Sequence, residues 1–259
     1  PSVALTDKSN MFGLVKFFNK CEAAGIKPIS GSSIRVAFDE DDQSHELLCL
    51  AKTNQGHKNL MRIISSAHNN YNFQTPIIDF ASLTELKEDI VVISGGKDSH
   101  IFNLLKRNKT EDAEKRVDQF LKAFDDDFVL EVQRTNRLDE NEYLANLLPL
   151  SSKKGIPVIA TNDVLFSKEE DFDIHETKVC INTGKTLNDP NREKLFSKEQ
   201  YFKSSAEMED LFDGFDELIS NTIEISKKCK VSIHTKNYFL PEYPVPEEHD
   251  FDSFLVDLS

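Results

Sequence analysis

The sequence predicts an α/β fold in which a parallel sheet, open or closed into a barrel, is covered by helices. Short β-branched runs alternate with longer stretches whose apolar residues recur at helical spacing. Hairpin signals are few, and such alternation is typical of parallel strands joined by right-handed crossovers. With 259 residues, 39% of them apolar, the chain can form one large domain with a sizeable core.

The first half of the chain shows this alternation most simply. Leu14, Phe18 and Cys21 share one helical face, and Gly25 follows at the position of a C-terminal cap. Leu60 and Ile63 repeat the helical spacing further on. Predicted strands occupy residues 3–6, 26–38, 47–51 and 90–93, and predicted helices occupy residues 10–24 and 59–67.

The second half continues the pattern and becomes mainly helical after its last strand. Strands are predicted at residues 128–132 and 158–161. One helix is predicted to end near residue 104, and others are predicted at residues 111–123, 142–150, 171–180, 206–212 and 216–229. Residues 238–246 contain three prolines and indicate an extended linker, and residues 251–258 could start another helix. We therefore expect a barrel domain at residues 1–237 and a linker with the start of a further region at 238–259.

Charge and composition exclude several classes of function. The net charge of −14 would repel a phosphate backbone, so we expect no direct DNA binding by this chain. No apolar run approaches the ~18 residues of a membrane span, and the first residues lack a signal-peptide pattern. The four cysteines, Cys21, Cys49, Cys180 and Cys229, are widely spaced and favour free thiols in a reducing compartment. We expect a cytoplasmic protein without membrane contact.

The most informative motif is the run PVIATNDVLF at residues 157–166. A β-branched strand there places Asn162 and Asp163 at its carboxyl end, which is where α/β barrels carry their catalytic groups. A lone aspartate at a strand end is also a common cap or hydrogen-bond anchor. The chain contains neither a phosphate-binding P-loop nor a Gly-x-Gly-x-x-Gly run.

Eight segments spread over almost the whole chain resemble one known family in the same order. They are TDKSNMFG at 6–13, GIKPI at 25–29, LAK at 50–52, ISGG at 93–96, ATND at 160–163, GKTLNDP at 184–190, NTIEI at 221–225 and YFLP at 238–241. Together they are similar to the polymerase-and-histidinol-phosphatase (PHP) domain found in bacterial DNA polymerase III alpha subunits. The resemblance implies a distorted (β/α)7, TIM-like barrel of the PHP type.

The same resemblance implies that pieces of the family's architecture lie outside this chain. The family's first strand, with its His-x-His motif, is expected upstream of Pro1, so the barrel is expected to lack that strand. We then expect the edge near residues 3–6 to expose unpaired backbone groups or to be covered by another segment. The polymerase domains, which need magnesium, are expected after the tail.

The resemblance also traces six positions of the family's metal site, and most have lost their donors. The family has a histidine at the positions of Lys8, Glu46 and Leu165, an acidic residue at the position of Ser33, and a cysteine at the position of Gly96. Asp163 is retained. An ammonium has no lone pair to donate to a metal, so Lys8 is expected to pair with Glu46 or Asp163 instead. His45 is one residue out of register, which places it on the other strand face. His175 is interpreted as a packing residue.

Three functions follow as hypotheses. The favoured one, implied by the resemblance to the metal-lost subset of the family, is a non-catalytic scaffold without cofactor. Its expected partners are the proofreading exonuclease subunit, other polymerase III holoenzyme subunits and the polymerase palm of the same chain, and the parent protein is expected to be a DNA-directed DNA polymerase. The second is an active metal-dependent phosphoesterase, acting on pyrophosphate or a DNA 3′ end. The third is an unrelated barrel hydrolase.

Overall fold

The structure, a computed structural model, describes residues 1–38, 43–69, 75–234 and 243–259. The strands in these residues are β1 Ser2–Leu5, β2 Lys27–Ala37, β3 Ser44–Ala51, β4 Ile78–Asp79, β5 Ile90–Ile93, β6 Phe128–Gln133 and β7 Val158–Thr161. The helices are α1 Leu14–Ala23, α2 Asn54–Asn69, α3 Phe80–Glu85, α4 His100–Lys106, α5 Thr110–Phe124, α6 Glu140–Lys154, α7 Phe172–Thr183, α8 Ser205–Leu211, α9 Asp216–Lys228 and α10 Phe251–Leu258. The predicted α/β fold is confirmed.

The strands form one curled sheet in the order β1-β2-β3-β5-β6-β7, with β4 paired to β2 off this path. Within the described ranges no ladder joins β1 to β7, so the sheet is a half-barrel of the distorted TIM-like type. Among the described residues, β1 pairs only with β2, so β1 is an edge strand of the sheet. The family's additional upstream strand stays a prediction.

The expectation of a parallel sheet was wrong for β3. The pairs β1–β2, β2–β4, β5–β6 and β6–β7 are parallel, whereas β3 runs antiparallel to both β2 and β5. The connection from β2 to β3 is too short for a helical crossover, and a short connection between adjacent strands produces an antiparallel pair. As a consequence, the first residues of β3 lie at the same sheet edge as the last residues of the parallel strands.

Apolar residues cover both faces of the sheet. In β5, Val91 and Ile93 pack toward one cluster that includes Ile225 of α9, while Ile90 and Val92 pack toward the larger cluster beneath the other helices. This alternation follows the two-residue period of a strand. All four residues of β5 are buried, as expected for a central strand that is covered on both faces.

Helix α9 protects the outer edge of β7. Leu130 of β6 donates its backbone N–H to the carbonyl oxygen of Pro157, so the alternate carbonyls of β7 point away from the sheet. Asn221 Nδ2 donates to the carbonyl oxygen of Val158 at 2.9 Å, and Thr222 Oγ1 donates to that of Ala160 at 3.1 Å. The NTIEI segment therefore satisfies an edge that would otherwise expose unpaired acceptors.

We expect the substitution Asn221→Ala to lower the free energy of unfolding by about 1–2 kcal/mol, because it leaves the Val158 carbonyl without its donor. Ser220→Ala is the matched control, since the Ser220 hydroxyl is exposed and bonds only within its own helix. Chemical denaturation of both variants measures the difference. Equal losses of unfolding free energy in the two variants would show that the hydrogen bond from Asn221 to β7 does not stabilise the fold.

Most predicted elements are present with shifted boundaries, and residues 90–93, 158–161 and 251–258 match their predictions end to end. Strand β4 and helix α3, which together span only residues 78–85, were not predicted. Asp79 caps α3 by accepting a hydrogen bond from the Ser82 backbone N–H at 2.7 Å. Residues 235–242, which include much of the predicted linker, lie outside the described residues, so the domain division at residue 238 stays a prediction.

Across the described ranges, none of the helices combines the length and apolar character that crossing a membrane requires.

Candidate functional site

The six predicted site positions lie along one edge of the sheet. Lys8 follows β1 and forms an isolated bridge with Ser33 of β2. Glu46 lies near the start of the antiparallel strand β3. Gly96 follows β5, and Asp163 follows β7. Because this is the carboxyl edge of the parallel strands, it is the edge where α/β barrels carry their chemistry. The structure groups these positions around two ion pairs.

The first ion pair joins Lys8 to Glu46. Lys8 Nζ lies 2.9 Å from Glu46 Oε2, which confirms the predicted pairing of Lys8 with one of the two acidic positions. Loss of hydration lowers the pKa of Lys8, but the charge and hydrogen bond of Glu46, together with the charges of Asp163 and Asp98, raise it overall. The Lys8 side chain is 68% exposed and that of Glu46 is 20% exposed, so the pair forms the rim of a site.

A cavity of about 310 Å³ opens beside this pair. Its lining includes Lys8, Ser33, Arg35 and Glu46, together with Phe12. Arg35 stands opposite Glu46 in the β2–β3 register and donates to Ser44 Oγ at 2.9 Å. Two cationic side chains therefore face the single carboxylate of Glu46 in this cavity, an arrangement that does not attract a cation.

The second ion pair joins Arg137 to Asp163. Arg137 Nη1 lies 3.2 Å from Asp163 Oδ2, and Gln200 Nε2 donates to the same oxygen at 2.8 Å. Arg137 also donates to Thr135 Oγ1 at 2.7 Å and contacts Glu140 Oε1 at 3.3 Å. Arg137 and Glu140 are largely buried, at 11% and 7% side-chain exposure. The retained aspartate is thus bound by donors of the protein itself.

The space above Gly96 is filled by the same network. A Cβ atom at Gly96 would lie 2.4 Å from Gln133 Oε1, closer than non-bonded atoms approach. Gln133 Oε1 accepts a hydrogen bond from Arg137 Nη2 at 2.9 Å, so it cannot move aside without disturbing the second ion pair. A cysteine, which the resemblance places here in metal-binding relatives, would require the Gln133 side chain to move and to give up its hydrogen bond from Arg137.

Sequence reasoning missed Glu131, which lies in the middle of β6 with 3% exposure. The pKa of Glu131 is raised to about 7, mainly by burial and also by the negative charges of Asp163 and Glu46, while hydrogen bonds from Thr161 and Gln133 oppose the rise. The signal was present in the sequence, since Glu131 is the only charged residue of the strand FVLEVQ. A buried carboxyl group in an apolar strand indicates a special environment.

The donor set does not fit a metal ion. Zinc or manganese needs several neutral imidazoles, thiolates or carboxylates that converge on one point. Lys8, Gly96 and Leu165 offer no such donor, and Glu46 and Asp163 are each bound to a cation of the protein. Within residues 1–38, 43–69, 75–234 and 243–259, no three His, Cys, Asp or Glu side chains are grouped as metal ligands.

Two histidines considered in the sequence lie away from this edge. His45 is buried on the opposite face of β3 from Glu46 and stacks on His100, with ring centroids 4.2 Å apart, as the one-residue shift predicted. His175 packs between Phe166 and Phe196, with centroid distances of 5.5 and 4.7 Å, which confirms its interpretation as a packing residue.

Comparison with known proteins identifies relatives over nearly the whole chain. The PHP domain family matches residues 1–135. The DNA polymerase III subunit alpha of Pseudomonas aeruginosa is 39% identical over 257 residues, covering 98% of this chain and 22% of the relative. Those of Vibrio cholerae and Escherichia coli K12 are 41% identical over 246 and 247 residues, each covering 94% of this chain and 21% of the relative. The chain thus spans about a fifth of these relatives.

Proposed function

This chain belongs to the PHP domain family, and from that premise we propose that it is the PHP region of a DNA polymerase III alpha subunit, retained as a non-catalytic scaffold. The observation that carries the proposal is the pair of internal cations at the site edge. Lys8 neutralises Glu46, and Arg137 neutralises Asp163. The two carboxylates among the six traced positions are therefore used within the protein.

Hydrolysis of a phosphoester by the family's route requires metal ions that generate hydroxide and stabilise the developing charge. None of the six traced positions replaces that function. Lys8 is a cation, Leu165 is apolar, and Ser33 and Gly96 supply neither an imidazole nor a carboxylate. The carboxyl group of Glu131 is buried, and it accepts hydrogen bonds from Gln133 and Thr161.

The scaffold has two kinds of proposed partner. The relatives are named as subunits of a DNA polymerase and cover 98% and 94% of this chain, so we propose that the polymerase palm of the same protein packs against this domain. We also propose that the proofreading exonuclease and other holoenzyme subunits dock on its exterior. We further propose that nucleotidyl transfer, with its magnesium, is carried out by other regions of the complete protein.

A hydrolysis assay on the purified chain tests the catalytic half of the proposal. With added manganese, zinc or magnesium, we expect no cleavage of pyrophosphate or of a DNA 3′ end above the background of buffer. Asp163→Ala is the matched variant, and it should leave this background unchanged. Metal-dependent cleavage by the wild-type chain that disappears in folded Asp163→Ala would establish the active phosphoesterase instead.

The structural half is tested in the complete polymerase. We expect Asp163→Ala to leave primer extension and binding of the exonuclease subunit unchanged, at a cost of about 1–2 kcal/mol in the stability of the domain. Surface plasmon resonance with the exonuclease subunit and a primer-extension assay provide the two measurements. Loss of primer extension in a variant that remains folded would contradict a purely structural role for this edge.

A further inference from the structure

A second cavity, of about 320 Å³, lies on the other side of β3 from the site edge. His45 lines this cavity, whereas the next residue, Glu46, lines the first one. Successive side chains of a strand point to opposite faces, so the two cavities are separated by the sheet. They share no lining residue among the described parts of the chain.

The walls of the second cavity are two helix faces. On α5, Asp112, Lys115 and Arg116 line the cavity at spacings of three and four residues, so they lie on one face. On the other side, α4 ends immediately before Arg107, and Lys109 lies in the turn that joins the two helices. The groove is therefore lined by side chains from the end of α4, from the turn and from α5.

The described lining of this groove is basic although the chain carries a net charge of −14. Its described lining includes the cations Arg107, Lys109, Lys115 and Arg116 and the single carboxylate of Asp112. Asp112 pairs with Lys115 at 3.3 Å in an exposed geometry, which contributes little free energy. Cations outnumber carboxylates four to one in this described lining, whereas acidic residues outnumber basic residues over the whole chain.

The cations differ in how they are held. The buried Arg116 guanidinium lies 3.9 Å above the centre of the Phe38 ring and donates to Gln119 Oε1 at 2.6 Å, so its position is fixed. Arg107 and Lys109 are exposed at the rim, and their side chains make no hydrogen bond or ion pair with the described residues. A preorganised guanidinium at the wall and two uncommitted cations at the rim suit a compact anion.

We propose that this groove binds the phosphate groups of a small ligand of the polyphosphate class, such as pyrophosphate or the triphosphate of a nucleotide. Guanidinium and ammonium groups are the donors that phosphate oxygens prefer. The groove is concave and similar in size to small-ligand sites, which favours a short polyphosphate. A long nucleic-acid backbone would extend beyond the groove over a chain that repels it.

The acidic run DEDD at residues 39–42 connects Phe38 to Gln43, and it lies outside the described residues. It supplies a competing explanation, in which the cations of the groove only balance these four charges. The two explanations make opposite predictions for binding. A phosphate site binds added triphosphate in the wild-type chain, whereas a groove that serves only to balance internal charge does not.

Isothermal titration calorimetry with sodium triphosphate, at low ionic strength and with a chelator present, tests the proposal on the 259-residue chain. We expect saturable binding with a Kd of about 1 mM or tighter that weakens as salt is added. The double variant Arg107→Ala, Lys109→Ala should weaken binding by about tenfold or more, because two charge-assisted contacts are removed. Pyrophosphate should bind at the same site more weakly, since it carries less charge.

Two control variants locate the site. The pair Lys16→Ala, Lys20→Ala removes the same charge from exposed positions of α1 and should leave the Kd unchanged. Lys8→Ala tests the first cavity and should also leave it unchanged. The proposal is overturned if the wild-type chain does not bind, if the α1 control weakens binding equally, if Lys8→Ala abolishes it, or if a polyglutamate peptide binds and triphosphate does not.

Discussion

Replacing Arg137 with alanine is expected to lower the free energy of unfolding by about 3–5 kcal/mol, the range for removing one partner of a buried ion pair. Arg137 connects Gln133, Glu140 and Asp163, and its side chain is only 11% exposed. Without the guanidinium, the buried Glu140 carboxylate keeps its hydrogen bonds to Thr135 but loses its counter-charge. Urea denaturation of the purified chain gives the loss.

The control for this variant is Lys153→Ala, which removes an exposed cation bound to Glu114 at 2.7 Å. Exposed pairs contribute about 0–1 kcal/mol, so this variant should remain close to wild type. If Arg137→Ala costs no more than Lys153→Ala, the network around Asp163 is not a structural replacement for a metal ion. The proposed role of the site edge would then lose its energetic basis.

Replacing Glu131 with glutamine is expected to stabilise the protein at pH 8 by up to about 3 kcal/mol. The ordinary pKa of a glutamate, 4.5, is raised to about 7 in the folded protein. The folded state therefore favours the protonated form. The penalty for ionising Glu131 is absent below pH 4.5, grows as the pH rises toward 7, and is complete above that value. Glutamine stays neutral throughout and keeps an oxygen that accepts the hydrogen bonds from Gln133 and Thr161.

Denaturation curves at several pH values between 4.5 and 8 measure this effect. The gain from Glu131→Gln should be small at the acidic end and should increase with pH. Glu209→Gln makes the same chemical change at an exposed position of α8 and should change stability by less than about 0.5 kcal/mol at every pH. A gain that does not depend on pH would show that Glu131 is not protonated in the folded state below neutrality.

The sequence predicted the elements of the fold better than their assembly. Strands β5 and β7 are short, β-branched and bounded by turn residues, and their limits were predicted correctly. The antiparallel direction of β3 was not predicted, although the short connection that follows β2 indicates it. The two-residue strand β4 gives no periodic signal at all.

In the candidate site, too, some features follow from the local sequence and others depend on the tertiary structure. The pairing of Lys8 with either Glu46 or Asp163 was predicted, because the resemblance placed all three residues at one site, and the structure selects Glu46. The donors to Asp163 could not, since Arg137 and Gln200 come from loops that only the folded structure brings to β7. Glu131 could have been recognised as a charge inside an apolar strand, but its pKa depends on neighbours from other strands.

Elemental analysis of the chain, purified without chelators, tests most directly whether the site edge has lost its metal. We predict zinc, manganese and iron far below one equivalent per chain, and a thermal unfolding midpoint that does not change when EDTA or manganese is added. A stoichiometric metal that is lost on Asp163→Ala or Glu46→Gln, in variants that remain folded, would contradict the scaffold proposal and establish a working metal centre.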